Sequence, residues 1–428
     1  LEHRRQRQMC IRDRHYQIHR GIGVHQKLHN DQEKEFKVAV FIGGPPAMAF
    51  SAVMPLPEGL PEVAFSGLMA NRNFRYTKFK GWTLAADADF AIIGTIKSKM
   101  KPEGPFGDHL GYYSLVHDFP CMEVEQVFHR KDAIWPFTVV GRPPQEDTTF
   151  GEVIHDLTGS VISTELPGLH AVNAVDASGV HPLLLAVGEE RYTPFMDISR
   201  PSELLTIANA ILGKGQLSLA KYLLIANEAD KPDIHDIPRF FSHLLERINW
   251  KRDIHFQTET TIDTLDYSSE EINIGSKVIW ACTGEPIREL SDTKPSLDIA
   301  LDFAIVDPGI LAVKGIKSID YKKAPEEIES IIEELKDKVD SDAFPLIVVC
   351  DDPDFISSDF NNFLWAAFTR SNPSHDIYGI NSKTNFKHWG CSGSLVIDAR
   401  FKPHNAPPLL EDQKVSSNVD RILENINY

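Results

Sequence analysis

The sequence is poor in the residues on which several common kinds of site depend. Only five of its 428 residues are cysteines, and no two of them are spaced as Cys-x-x-Cys. This argues against a disulfide framework and a cysteine zinc site, and it is typical of a protein from a reducing cytoplasm. No apolar run approaches the ~20 residues that span a bilayer, and no secretory signal opens the chain, so we expect a soluble protein without a membrane span.

Positive charge is also scarce. The net charge is −17 and the isoelectric point is near 5.4, whereas a nucleic-acid partner needs clustered Lys and Arg. The length and the 42% hydrophobic content predict two globular domains. Residues 1–14 are basic, lack an apolar period and resemble a translated adapter sequence. We therefore expect a foreign or disordered start and a protein truncated at its N-terminus.

The apolar patterns change along the chain. Up to about residue 200, short β-rich stretches between Gly and Pro residues predict a barrel or sandwich, with one strand at 134–141. After Pro201, helical and buried-strand patterns alternate, which indicates an α/β unit. One helix is predicted over 358–369 with Ser358 as its N-cap, and a last amphipathic helix begins near residue 411. We find no internal repeat in the sequence.

The segment Glu103-Gly-Pro-Phe-Gly-Asp108 is the most informative stretch for chemistry. Two carboxylates lie five residues apart on a frame of Gly and Pro that cannot be helical. A rigid loop that holds Glu103 and Asp108 in one pocket would favour a protonated acid beside an ionised base. By composition alone, the more common role of such residues is to cap a turn and to pair with surface lysines.

Two further groups of residues are weaker candidates. His15, His19, His25 and His29 include two pairs at helical spacing, but they lack the glutamate of a His-Glu-x-x-His metal motif. Exposed polar histidines are the simpler interpretation for the second pair. Glu62 ends a proline-rich stretch and could bind a hard cation, although a glutamate in the first turn of a helix is common without one.

Several motifs together resemble those of the UbiD family of prenylated-flavin decarboxylases. Besides residues 103–113, the segments that carry the resemblance are Phe41–Ala47, Met54–Glu58, Arg130–Ile134, Gly141–Pro144, Asp351-Asp352, Trp365–Arg370 and Gly393–Ala399. They occur in the family's order, so that the resemblance covers nearly everything from His15 to Pro408. The Glu-Gly-Pro-[Phe/Tyr]-Gly-[Asp/Glu] loop is highly specific.

The resemblance implies a fold of mixed α+β and α/β class. Residues 15–200 would form a split β-barrel of the flavin-reductase kind that binds prenylated FMN. Residues 201–410 would form an α/β oligomerisation domain, followed by a C-terminal helix at 411–428. In the family, the residue at Asp108 donates the proton after CO2 leaves, and the one at Glu103 belongs to its network. The cofactor would carry the difficult step.

The resemblance also implies two cations and a set of flavin contacts. Manganese, or another divalent cation, would join the cofactor phosphate to Glu62 and His19, and potassium would lie on oxygens near Ser51, Ala52 and Met54. The flavin contacts would fall on His15, Tyr16, Gln17, Arg20 and Gly21. The implied activity is the reversible decarboxylation of an aromatic or α,β-unsaturated acid, by a cytoplasmic homodimer or homohexamer that a prenyl-FMN synthase supplies with cofactor.

The sequence departs from the family pattern in two places. The family's metal-binding Asn and the Arg that follows it by five residues would precede His15, yet no Asn occurs before Asn30, and Arg12 and Arg14 cannot be taken as replacements. The stretch 253–319 suggests a longer subfamily. The alternative to catalysis is a flavin-binding or oligomeric scaffold remnant. A two-carboxylate glycosidase is less favoured, because the six tryptophans form no aromatic cluster in the sequence.

Overall fold

The computed structural model describes residues 21–54, 56, 60–136, 140–192, 195, 200–230, 232–297, 299–410 and 412–424. Within these ranges, every helix is too short or too polar to cross a bilayer.

The N-terminal part combines short helices with antiparallel strands. Its elements are α1 (Gly21–Asp31), β1 (Phe36–Ile42), α2 (Pro46–Val53), α3 (Glu62–Met69), β2 (Tyr76–Phe79), β3 (Trp82–Ala85), β4 (Phe90–Glu103), β5 (His117–His129) and α4 (Glu146–Glu165). Three strands form a sheet in the order β1-β4-β5, and β2 pairs with β3 in a hairpin. Among the described residues, these strands form open sheets and no closed barrel.

Alternating apolar residues of β1 and β4 pack into one small hydrophobic core. Phe41 pairs with Ala91 in the antiparallel register, and both side chains are buried with Met48 of α2 and Leu84 of β3. The strand predicted at 134–141 is wrong for the residues of it that are described, which lie in irregular structure. There the Ile134 amide donates to the carboxylate of Asp89 instead of to a neighbouring strand.

The first five-stranded sheet follows α4. Its strands and helices are β6 (Leu169–Ala174), β7 (Leu183–Gly188), α5 (Ser202–Leu212), β8 (Tyr222–Asn227), α6 (Ile237–Arg247), β9 (Ile254–Thr261) and β10 (Ile274–Cys282). The sheet order is β6-β7-β8-β10-β9. β6 and β7 join this sheet although they precede residue 201, and the position of the domain division stays a prediction.

The second five-stranded sheet occupies the remainder of the chain. Its elements are β11 (Phe303–Asp307), β12 (Ile310–Lys314), α7 (Ala324–Leu335), β13 (Leu346–Cys350), α8 (Pro353–Ser357), α9 (Phe360–Thr369), α10 (Pro373–Asp376), β14 (Ile377–Gly379), β15 (Ser382–Asn385), β16 (His388–Cys391), β17 (Leu395–Asp398) and α11 (Gln413–Glu424). The sheet order is β11-β12-β13-β17-β14, and β15 and β16 form a separate hairpin.

The two large sheets have the same topology. In each, the first pair of strands is antiparallel, the next two pairs are parallel and the last is antiparallel, and the fourth strand along the chain lies at the edge. Both contain the sequence Arg-x-Asn-x-x-x-Asp-Ile at the start of that edge strand. The described structure therefore contains a repeat, and the expectation of no internal repeat is wrong.

The repeats pack around one shared core. Its buried members include Leu224 and Trp280 from the first sheet, Val348 and Ile397 from the second sheet, and Phe363 from helix α9. The mixed α+β and α/β fold class predicted from the sequence is confirmed.

The N-cap of helix α9 lies one residue later than predicted. Its N-cap is Asp359, whose carboxylate accepts a hydrogen bond from the Asn361 amide at 2.8 Å. Ser358 instead donates its hydroxyl to the Phe355 carbonyl oxygen at the end of α8. The predicted Ser358 cap is therefore wrong, because the neighbouring carboxylate is placed to accept from the first amides of the helix.

Candidate functional site

The loop between β4 and β5, residues 103–116 (hereafter the acidic loop), presents both predicted catalytic carboxylates. Glu103 is the last residue of β4 and lies opposite His117, the first residue of β5. Asp108 lies at the loop's tip. Asp108 is 0% exposed and Glu103 is 8% exposed. Neither is therefore the solvated surface carboxylate that composition alone suggested.

Short hydrogen bonds fix the tip of the acidic loop. The Asp108 amide donates to the Tyr112 carbonyl oxygen at 2.9 Å, and the Ser114 amide donates to the Phe106 carbonyl oxygen at 2.8 Å. Oδ1 of Asp108 accepts a hydrogen bond from the Leu110 amide at 2.7 Å. The orientation of the Asp108 carboxyl group is therefore set by its own loop.

Helix α9 of the second repeat holds the other side of the tip. Trp365 donates its indole N–H to the Leu110 carbonyl oxygen at 2.7 Å, and the Tyr112 ring stacks on it at 5.1 Å. The hydroxyl groups of Tyr112 and Thr369 lie 2.6 Å apart, and the Arg370 guanidinium lies 4.9 Å from the Trp365 ring centroid. Burial raises the pKa of Tyr112, so this phenol stays neutral at physiological pH.

The charges of both carboxylates affect the pKa of one buried phenol, that of Tyr267. Burial raises the pKa of Tyr267, and the negative charges of Asp108, Asp263 and Glu103 raise it further. The His117 ring stacks on the Tyr267 ring with centroids 5.8 Å apart and planes 10° apart. The charges of Glu103 and Asp108 therefore both reach the phenol of Tyr267.

Four of the residues predicted to bind cations lie at the end of α2 or at the start of α3. Ser51, which is buried, and Ala52 belong to the last turn of α2, Met54 follows that turn, and Glu62 is the first residue of α3, which packs against α2. The carbonyl groups of a last helical turn lack helical partners, and a hard cation takes carbonyl and carboxylate oxygens. The donor types at these positions therefore fit the two cations that the resemblance implies.

The predicted flavin contacts are mostly outside the described residues. His15, Tyr16, Gln17 and Arg20 lie there, as does the predicted metal ligand His19, and Gly21 is the first residue of α1. Within α1, the Nδ1 atom of His29 lies 2.8 Å from the carbonyl oxygen of His25.

Five residues of the site escaped the sequence analysis. His109 directly follows Asp108, and its position could have marked it. His117 directly follows the acidic loop, so its position could have marked it as well. His181, Asp263 and Tyr267 belong to no local motif, because they reach the acidic loop only through the tertiary fold.

Comparison with known families agrees with these motifs. The family model of the 3-octaprenyl-4-hydroxybenzoate carboxy-lyase Rift-related domain matches residues 6–143, and that of the C-terminal domain of the same enzyme matches residues 148–282. The second match ends with β10, so that it covers only the first of the two repeats.

Curated relatives are longer than this chain. An uncharacterized protein of Chlamydia muridarum is 33% identical over 413 residues, which are 95% of this chain and 68% of the relative. A Chlamydia pneumoniae protein whose name makes it one component of a 4-hydroxybenzoate decarboxylase is 34% identical over 394 residues, which are 91% of this chain and 64% of the relative. The chain thus spans about two thirds of the length of these curated relatives.

The fold is shared with a solved enzyme. The closed form of vanillic acid decarboxylase from Sedimentibacter hydroxybenzoicus matches with a TM-score of 0.54 and 19% identity, over 65% of this chain and 58% of that one. At this identity, the match shows a common fold alone. The two family models and the Chlamydia relatives go further: the chain belongs to the UbiD family.

Proposed function

We propose that the protein is a carboxy-lyase that reversibly removes CO2, without oxidation, from an aromatic or α,β-unsaturated carboxylic acid with prenylated FMN as its cofactor. Asp108 is the proton donor, and Glu103 belongs to its network. The observation that carries the proposal is the burial of both carboxylates beside Tyr267, on a loop with the family's specific sequence.

The surroundings of Asp108 suit proton delivery to carbon. A buried carboxyl group is shielded from bulk water, so that its proton goes to the substrate carbon. Because Oδ1 accepts from the Leu110 amide, the acid proton is carried on Oδ2. We assign to Glu103, at the end of β4, the return of a proton to Asp108 after each turnover.

The cofactor and its cations belong to the N-terminal part. When bound, the flavin supplies an acceptor for the electron pair that departing CO2 leaves. Glu62 would hold manganese or another divalent cation, and main-chain oxygens near Ser51, Ala52 and Met54 would hold potassium. A prenyl-FMN synthase supplies the cofactor to a cytoplasmic homodimer or homohexamer.

The substrate is a small carboxylic acid. The name of the Chlamydia pneumoniae relative refers to a 4-hydroxybenzoate decarboxylase, which makes 4-hydroxybenzoate the first compound to test.

Asp108→Asn tests the role of Asp108 as the proton donor. Protein co-expressed with a prenyl-FMN synthase is examined by its ultraviolet–visible spectrum, by CO2 release and by deuterium incorporation at the carbon that carried the carboxyl group. Asp108→Asn should keep the flavin absorbance and lose CO2 release and exchange by about 10²–10⁴-fold, the usual contribution of a general acid.

Asp118→Asn is the matched control, because Asp118 is an exposed carboxylate on neighbouring strand β5. It should leave all three readouts unchanged. Unchanged exchange in Asp108→Asn would remove Asp108 from the mechanism. A protein that binds no flavin after co-expression would overturn the proposal as a whole and leave the scaffold alternative.

A further inference from the structure

A buried cluster of three metal-binding side chains lies beside the acidic loop. His109 follows Asp108 in the loop, His181 begins the approach to β7, and Asp263 follows β9. The residues are 0%, 7% and 2% exposed, and one ligand atom from each lies within 4.8 Å of the other two. We refer to these residues as the His–His–Asp cluster.

Local structure orients the carboxylate toward a histidine. Oδ1 of Asp263 accepts a hydrogen bond from the Leu265 amide at 2.9 Å, and Oδ2 lies 3.5 Å from Nε2 of His181. Because the Leu265 amide holds one oxygen of the Asp263 carboxylate, the other oxygen is directed toward His181. Hydrogen bonds of this kind commonly orient the side chains that bind a metal ion.

Close packing brings the histidines together. Gly179, two residues before His181, has a φ of +82° and lies so close to Leu110 that a Cβ at this position would overlap that side chain. The turn before β7 therefore lies directly on the acidic loop. The His109 and His181 rings meet nearly at right angles, with their centroids 5.9 Å apart.

We propose that the His–His–Asp cluster binds one divalent transition-metal ion, such as zinc. Two imidazoles and one carboxylate form a ligand set that is common for zinc and for non-haem iron. Ligand atoms about 2.0–2.2 Å from a zinc ion lie roughly 3–3.5 Å from one another. The separation between His181 and Asp263 already meets this, and a ring nitrogen of His109 lies within 4.8 Å of a ligand atom of each.

The ion would fasten three distant segments at the site. It would tie the acidic loop to the turn before β7 and to the segment after β9, and it would fix the main chain at His109, next to Asp108. The cluster shares no residue with Glu62 and the α2 end, and the proposal does not rest on the decarboxylase function.

The zinc content of chains that lack the Glu62 carboxylate distinguishes the His–His–Asp cluster from the cation site at Glu62. Chains that carry Glu62→Ala are loaded with zinc, dialysed and analysed by elemental mass spectrometry. The Glu62→Ala chain should retain about one equivalent of zinc, and adding His181→Ala or Asp263→Asn should abolish the retained zinc. Zinc should also raise the melting temperature of the Glu62→Ala chain but not that of the double variants.

Asp263→Asn keeps the volume of the side chain and so guards against misfolding, which circular dichroism checks. His170→Ala is the control, because this partly exposed histidine lies 2.6 Å from Glu189, which follows β7. It should leave the zinc content unchanged. No retained zinc in the Glu62→Ala chain, or equal zinc in that chain and the cluster variants, would overturn the proposal.

Discussion

At the scale of single residues, the geometry of Asp108 depends on backbone conformations that few residues tolerate. Gly111 has a φ of +89° and closes the turn by donating its amide to the Asp108 carbonyl oxygen. A Cβ at this position would lie 2.9 Å from the Arg142 Cα atom and 3.0 Å from the Trp365 indole nitrogen. The tip can therefore rest against both neighbours only with glycine at 111.

Gly111→Ala should lower the free energy of unfolding by about 1–3 kcal/mol, the usual cost of a strained backbone position. Gly151→Ala is the control, because Gly151 is an exposed position of α4 with nothing within 4 Å of an added Cβ. That change should instead stabilise the protein by about 0.5–1 kcal/mol, since alanine is the better helix former. Urea unfolding curves measure both, and equal effects would contradict the role given to Gly111.

Residue types that carry a local signature were predictable, and those that act across the fold were not. The frame of Gly and Pro around Glu103 and Asp108 indicated a rigid loop, which the structure contains. The Trp365 donor to that loop lies more than 250 residues along the chain. Likewise, no spacing in the sequence relates His181 to Asp263, because only the packing of a turn against the segment after β9 brings them together.

At the scale of elements, α9 links the second repeat to the acidic loop, so the start of this helix matters for the site. Buried strands such as β8 and β13 were predictable because a short, continuous apolar run is typical of a buried strand. The first residues of helices were less predictable than these strands. Ser358 and Asp359 both have the chemistry of an N-cap, and only backbone geometry decides between them.

Asp359→Ala should destabilise the protein by about 0.5–2 kcal/mol, because the first turn of α9 loses its side-chain acceptor. Asp359→Asn should restore most of this loss, since an amide oxygen caps nearly as well. Thermal unfolding followed by circular dichroism gives both values. If Asn proved as costly as Ala, the stabilisation would come from the charge of Asp359 and not from the cap.

At the scale of the whole molecule, the two repeats share a local motif, and the second repeat also contacts the acidic loop. Asn249 and Asn372 occupy equivalent positions, and their main-chain N–H groups donate to the carboxylates of Asp253 and Asp376 at 2.9 and 2.6 Å. Helix α9 of the second repeat also carries Trp365 against the acidic loop. The repeat was not apparent in the sequence because this short motif and a few strand residues are all that resemble each other.

The repeats also meet at a pair of histidines, and this contact should make stability sensitive to acid. His255 of β9 and His388 of β16 have ring centroids 5.2 Å apart. Burial lowers the pKa of His255, the nearby His388 lowers it further, and Asp253 opposes the shift. As the pH falls below about 6.5, the unfolded chain takes up a proton that the folded chain accepts less readily, so folding becomes less favourable.

The urea concentration at the unfolding midpoint should therefore decrease as the pH is lowered from 7.5 to 5.5. His255→Gln should make this decrease smaller. His388→Gln should reduce it by a smaller amount, because it removes the repulsion but leaves His255 buried. Neutral His255 carries no such cost above its unfolded pKa, and the cost of protonating it in the folded chain grows as the pH falls. The difference between the urea midpoints of each variant and of the parent should therefore shift in favour of the variant toward acidic pH. A parent and a His255→Gln variant with the same pH dependence would show that acid acts elsewhere than at this junction of the repeats.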